Sequence, residues 1–215
     1  MPGPLGAIRF VHAPIRNDLA GIKQELAPGG SAAGGDIPAV AKRFAFLETF
    51  LTIHESTEEE FLFPAIDAKA PGASKVYEAA HREMDGLRAQ LRSALEASNA
   101  EQAYLVVTEI MDKMTKHLDQ EEQELLALCD QHIPVEEQGA IGGKMSAHTP
   151  QDQAPAVFNW IFKNQGQDER EGFLRMLGRV MPPPAFQGVK GIAQGAVSPS
   201  DWEDLTKRVP ELQSS

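Results

Sequence analysis

Four stretches of this chain carry apolar residues at spacings of three and four, and a histidine interrupts each of the four stripes. Such spacing marks one face of an α-helix, and four such faces in succession leave few folds open. The first stripe, between about Leu5 and Ala27, is Ile8, His12, Ile15, Leu19, Ile22 and Leu26. The second starts after Asp36, read as an N-cap before Ile37-Pro38, and runs to about Lys69 with Leu47, Leu51, His54, Glu58, Phe61 and Ala65. Pro64 is expected to kink or end it early. The third, about Ser74 to Ala97, has Tyr77, His81, Met84, Leu87, Leu91 and Leu95. The fourth, about Asn99 to Gln131, has Val107, Ile110, Met114, His117, Glu121, Leu125 and Leu128. The glycine-rich run 28–35 and the pair Pro71-Gly72 break the pattern between helices. Short connections between long amphipathic helices favour antiparallel neighbours, so the expected fold is all-α, an up-down-up-down four-helix bundle over residues 1–133.

Residues 134–215 read as a helical C-terminal extension packing on that bundle. Val135 to about Met145, Ala156 to Lys163 and Glu169 to Val180 read as short helices. Pro182-Pro183-Pro184 ends the third of them, Gly188 to Ser198 reads as loop, and Ser200-Asp201-Trp202-Glu203-Asp204-Leu205 as a capped last helix.

The polar interruptions carry the chemistry. Their order is His12, then His54 with Glu58, then His81, then His117 with Glu121, one unit per helix. A spacing of four sets a histidine and a carboxylate on one helix face, about 6 Å of rise apart. The levels agree for two pairs of helices. His81 to Ser98 is 17 residues against 18 from Asn99 to His117, and His12 to Pro28 is 16 against 18 from Asp36 to His54. Across Pro71-Gly72 they agree less well, 12 residues from Glu58 to Ala70 against seven from Ser74 to His81. Buried polar groups are costly without partners, and a bound metal would compensate this set. Imidazole with carboxylate suits iron, manganese or zinc, and two carboxylates can bridge two ions.

Composition excludes several classes. The 215 residues carry a formal charge of −11, a poor match to nucleic acid or to an anionic membrane surface. No apolar run reaches the roughly 20 residues of a membrane span, and Met1–Phe10 does not read as a signal peptide. A lone Cys129 rules out an intrachain disulfide and fits a cytoplasmic protein. His132 and His148 read as surface residues, and Cys129 as packing.

With these residues in view, the chain resembles the hemerythrin-like, or HHE cation-binding, family. The matching positions are His12, His54-Glu55-Ser56-Thr57-Glu58 with Phe61-Leu62-Phe63-Pro64-Ala65, His81, and His117-Leu118-Asp119-Gln120-Glu121, covering about residues 5–131. Its texture is similar to that of mycobacterial hemerythrin-like proteins. The resemblance implies two non-haem iron ions, oxo- or hydroxo-bridged, with His12, His54, His81 and His117 as terminal ligands and Glu58 and Glu121 bridging. Oxygen-carrying hemerythrins use a fifth histidine, four residues after the helix-three histidine; here Asp85 stands at that place and Tyr77 four residues before His81. Tyr77 is open to three roles, a phenolate ligand, a hydrogen-bond donor beside the metal, or a core residue. Asp85 reads as an outer or solvated group, and Glu55 as a possible ligand pointing about 100° from His54. The expected function is binding or reduction of a small oxidant (hydrogen peroxide, nitric oxide or dioxygen), serving oxidative or nitrosative stress defence, in a monomer or weak homo-oligomer. The alternatives are an iron or oxygen sensor acting through the extension, oxygen storage, and a structural metal bundle.

Overall fold

The structure, a computed structural model, describes residues Gly3–Gln213. Met1 and Pro2, where the signal-peptide reading begins, and Ser214–Ser215, where the extension ends, lie outside the described residues. Every regular element among the described residues is helical. The chain divides into two compact units, one of Asp18–His148 with the residues up to Gly6, the other of Ala7–Asn17 with the chain from Thr149 onward. The 133/134 boundary expected from the sequence thus falls inside the first unit, which keeps the helix Val135–His148.

The first unit is the bundle. A helix α1 (Arg9–Leu26) enters it at Asp18, followed by α2 (Ile37–Thr57), a short α3 (Phe63–Asp67), α4 (Lys75–Glu96), α5 (Ala100–Gln120), α6 (Leu126–His132) and α7 (Val135–His148). The core positions are those of the stripes: Leu19, Ile22, Leu47, Leu51, Met84, Leu91, Val107, Ile110 and Met114 are essentially solvent-free. Each such side chain contributes roughly 1.5–3 kcal/mol by leaving water. α4 packs along α5 and against α2, and α7 lies on α2 and the segment after it. Arg43 on α2 pairs with Asp18 and Glu25 of α1, both at 2.5 Å. Asp36 holds the N-cap position of α2 but makes no side-chain cap bond, whereas Asn99 accepts from the Gln102 N–H at 3.0 Å and caps α5. Gly72, with φ of 84°, makes the turn at Pro71-Gly72 in a conformation that a side chain would strain.

Two helices do not run on as their spacing predicts. After Thr57 and after Gln120 the backbone widens into a π-turn, Glu58–Leu62 and Glu121–Leu125. The Glu58 carbonyl accepts from the Phe63 N–H and the Glu121 carbonyl from the Leu126 N–H, five residues on in each case. A π-turn holds one residue more than the α-turn it replaces, so the stripe beyond it slips by one. Phe61 and Ala65, expected inward, are only partly covered, and Leu62, Phe63 and Ile66 fill the core instead. In the same way Leu128 gives its place to Cys129, with Leu125 and Leu126 both buried. The expected break at Pro64 is therefore an insertion before it, with Pro64 near the start of α3, where its missing N–H costs little.

The second unit holds α8 (Ala154–Asn164), α9 (Gln167–Val180), α10 (Pro183–Ala196) and α11 (Pro199–Arg208), with the first half of α1. Its core is aromatic: Phe173 meets Phe10, Phe158 and Phe162 at ring-centre distances of 5.4, 6.2 and 5.6 Å. Gln165 donates to the Phe10 carbonyl at 2.8 Å and Asn17 to the Asn164 carbonyl at 2.7 Å. Residues 188–198, expected as loop, belong mostly to α10. Pro183 and Pro184 suit a first helical turn, and Phe186, Val189 and Ala193, at helical spacing, are buried where α10 packs on α8 and α9. Gly188, Gly191 and Gly195 face open space. They cost the helix about 1 kcal/mol each relative to alanine, which the buried face outweighs. The last helix is capped by Ser198, whose hydroxyl accepts from the Asp201 N–H, so it begins before the expected Ser200.

Candidate metal centre

The chemistry-bearing residues sit where the stripes turn polar, and all six are buried: His12 and Glu58 at 0% exposure, Glu121 at 1%, and His54, His81 and His117 below 8%. Each comes from a helix long enough to hold it rigidly: His12 from α1, His54 from the last turn of α2, His81 from α4 and His117 from the last turn of α5. Both carboxylates occupy the first position of a π-turn. Within the first unit His54, Glu58 and Glu121 offer ligand atoms that all lie within 4.8 Å of one another, and so do His81, His117 and Glu121, while His12 stands in the part of α1 that belongs to the second unit. The level mismatch across Pro71-Gly72 narrows, from five residues to three, because α3 ends closer to the site than expected. From Glu58 to the end of α3 at Asp67 is nine residues, and from the start of α4 at Lys75 to His81 is six.

Glu58 shows the electrostatic problem. Its Oε1 lies 3.5 Å from His54 Nε2 and its Oε2 3.5 Å from His81 Nε2. Burial pushes its carboxyl well above the usual carboxylate range, and the Glu121 charge pushes the same way. Neither Glu58 oxygen makes a hydrogen bond among the described residues, and neither do His81 Nε2 and His117 Nδ1. Orphaned acceptors in a dry core are rare in native proteins unless a ligand supplies the missing partner. A hard or borderline cation meets that need with nitrogen and oxygen donors alone, and the donor set fits iron.

Aromatic walls enclose these donors. Phe63 stacks on His81 at 5.5 Å, Phe50 on His54 at 6.1 Å, and the His81 and His117 rings meet edge to face at 4.9 Å. Residues 4–129 match the family model of the hemerythrin HHE cation binding domain. The chain belongs to the hemerythrin HHE family. It is also similar to the zinc finger protein BRUTUS of Arabidopsis thaliana, 20% identical over 185 residues that take in 83% of this chain. The chain spans about 15% of the length of that plant protein. No solved structure matches the chain.

Within this hemerythrin domain, the outer candidates take separate places. Tyr77 is buried, 6.3 Å from the His117 ring and 6.0 Å from Phe63, and burial pushes its hydroxyl up to about 12. Glu55 turns away from the cluster and is held by the buried Arg88, whose guanidinium donates to both its oxygens at 2.9 and 2.7 Å. Asp85 is exposed and accepts from the same guanidinium. Glu59, beside Glu58 in the acidic run Glu58-Glu59-Glu60, also reaches a cluster residue: its Oε1 lies 2.9 Å from His81 Nδ1. Sequence reasoning missed this contact and missed Arg88. The available signal was an arginine beside the apolar stripe of α4, one residue after Leu87. His132 is partly covered, His148 is half exposed near Glu60, and the Cys129 thiol is fully buried with its pKa pushed up to about 12. No helix among the described residues is long and apolar enough to cross a membrane.

Proposed function

We propose that this hemerythrin domain holds two non-haem iron ions and uses them to bind or reduce a small oxidant, hydrogen peroxide or nitric oxide in preference to dioxygen. One observation carries the pairing: each carboxylate is divided between two groups of histidines. Glu58 sends one oxygen toward His54 and the other toward His81, and Glu121 belongs to both clusters of candidate ligand atoms. A carboxylate so placed suits the bridge between two ions. His12, His54, His81 and His117 complete the proposed set.

Bound iron would supply an electron source and sink that exchanges between ferrous and ferric states. The chain supplies the rest. Glu58 and Glu121 hold the donors at a fixed spacing, and the aromatic walls of Phe50, Phe63 and Tyr77 limit water. Tyr77, buried beside the His117 ring, is suited to donate a hydrogen bond from its phenol to a small molecule at the site.

The test is metal analysis with an optical spectrum after iron reconstitution, followed by rapid mixing of the reduced protein with each oxidant. Two irons per chain and a fast spectral change with peroxide or nitric oxide are expected. One iron or none defeats the paired site. Two irons without response to any oxidant would defeat the redox reading and favour a sensor or a structural centre.

A further inference from the structure

Glu59 and His81 carry an inference that rests on the metal reading above and deepens it. We propose that Glu59 is a positioning residue, which fixes the tautomer and the ring plane of His81 so that Nε2 is presented to the metal.

The imidazole of His81 stands between two consecutive carboxylates. Its Nδ1 lies 2.9 Å from Glu59 Oε1, and its Nε2 lies 3.5 Å from Glu58 Oε2. A neutral imidazole has one N–H and one lone pair, and an ionised carboxylate only accepts. With the proton on Nδ1, the short contact to Glu59 is a charge-assisted hydrogen bond and the Nε2 lone pair faces Glu58. With the proton on Nε2, a lone pair would face the Glu59 oxygen at 2.9 Å, which is repulsive. When Glu58 is ionised, as metal uptake requires, the first arrangement leaves two electron-pair donors, His81 Nε2 and Glu58 Oε2, facing each other without a hydrogen bond, and a cation between them removes that conflict. A carboxylate on the far nitrogen of a ligating histidine sets its orientation and strengthens it as a donor.

The backbone makes this bracket possible. On an α-helix two consecutive side chains diverge by about 100°. The wider turn at Glu58–Leu62 narrows that angle, so Glu58 and Glu59 address the same ring while Phe63, at the end of the turn, stacks on it. The side chain of Glu59 is 47% exposed, so it can be replaced without opening the core.

The experiment uses the full chain in its metal-free and iron-loaded forms. Ring-nitrogen NMR of the 15N-labelled, metal-free protein at about pH 8, where an ordinary imidazole is neutral, reads the tautomer, with a His81→Asn spectrum for assignment. The parent is expected to carry the proton on Nδ1. Glu59→Ala should release the ring to Nε2 protonation and weaken ferrous iron binding about 10–100-fold in competition with a chelator. Glu59→Gln retains an acceptor without the charge, so it should keep the tautomer and fall between the two in affinity. A parent protonated on Nε2 overturns the proposal, as does a Glu59→Ala protein whose tautomer and affinity both match the parent. A parent that takes up no iron refutes the metal reading instead, and the metal-free tautomer still decides the role of Glu59.

Discussion

Replacing Arg88 with leucine would strand a charge. Arg88 is 3% exposed and makes two hydrogen bonds to Glu55, itself 7% exposed, so both partners depend on each other for what water no longer provides. At an effective dielectric near 20, charges about 4 Å apart attract by about 4 kcal/mol. Removing one member of a buried pair costs about 3–5 kcal/mol, because the other remains desolvated. Burial already holds the Glu55 carboxyl above its ordinary value despite the opposing pull of Arg88. Without the guanidinium that push is unopposed, and the carboxyl escapes by protonating, which caps the loss within the range above. Urea unfolding of the metal-free Arg88→Leu protein, followed by circular dichroism, should show that loss, together with a fall in melting temperature of about 6–20 °C. The double variant Glu55→Leu/Arg88→Leu should recover most of it, since well-packed apolar replacements of a buried pair are often neutral. A single variant within about 1 kcal/mol of the parent would refute the argument.

Further outcomes follow from the same chemistry. Glu55 and Glu58 are both raised by burial, and a carboxyl raised on folding contributes stability below its unfolded value, near 4.5, that is lost as pH climbs through the folded value. The metal-free protein should therefore be less stable in urea at pH 8 than at pH 5, while metal uptake, which needs the ionised carboxylates, should strengthen over the same interval and release protons. Glu58→Gln should flatten part of that pH dependence, raise metal-free stability at pH 8 and abolish the paired site by metal analysis. The Cys129 thiol, buried and pushed up to about 12, should resist a thiol reagent in the native state and react only on unfolding. Phe162→Ala should cost the second unit about 3–5 kcal/mol, read as early loss of its tertiary near-ultraviolet signal.

The four stripes were legible because burial on one face of a straight helix imposes a period, and His12, His54, His81 and His117 stood out as exceptions to it. Where the period itself changes, that signal is lost. Phe61, Ala65 and Leu128 were placed inward on the assumption of an unbroken α-helix, and each π-turn moved the true position by one. The adjacent apolar pairs Leu62-Phe63 and Leu125-Leu126, each just beyond a core glutamate, are the trace such a turn leaves. The α10 helix was hidden by three glycines whose weight in a local reading exceeds their cost on an exposed face. The pairings of Glu59 and Arg88 were invisible for another reason: their partners lie 22 and 33 residues away, and no spacing rule links them.

The two widened turns separate architecture from aim. Each carries one surplus residue, so excising Glu60 or Gln123 would let the coil tighten to ordinary geometry while everything beyond keeps its seat among its neighbours. The acidic side chains at the head of the turn would swing, Glu58 with Glu59 in the first and Glu121 in the second. The scaffold can thus be conserved while the direction of the acidic side chains at one turn is edited, a degree of freedom that a seamless rod of the same length would not offer.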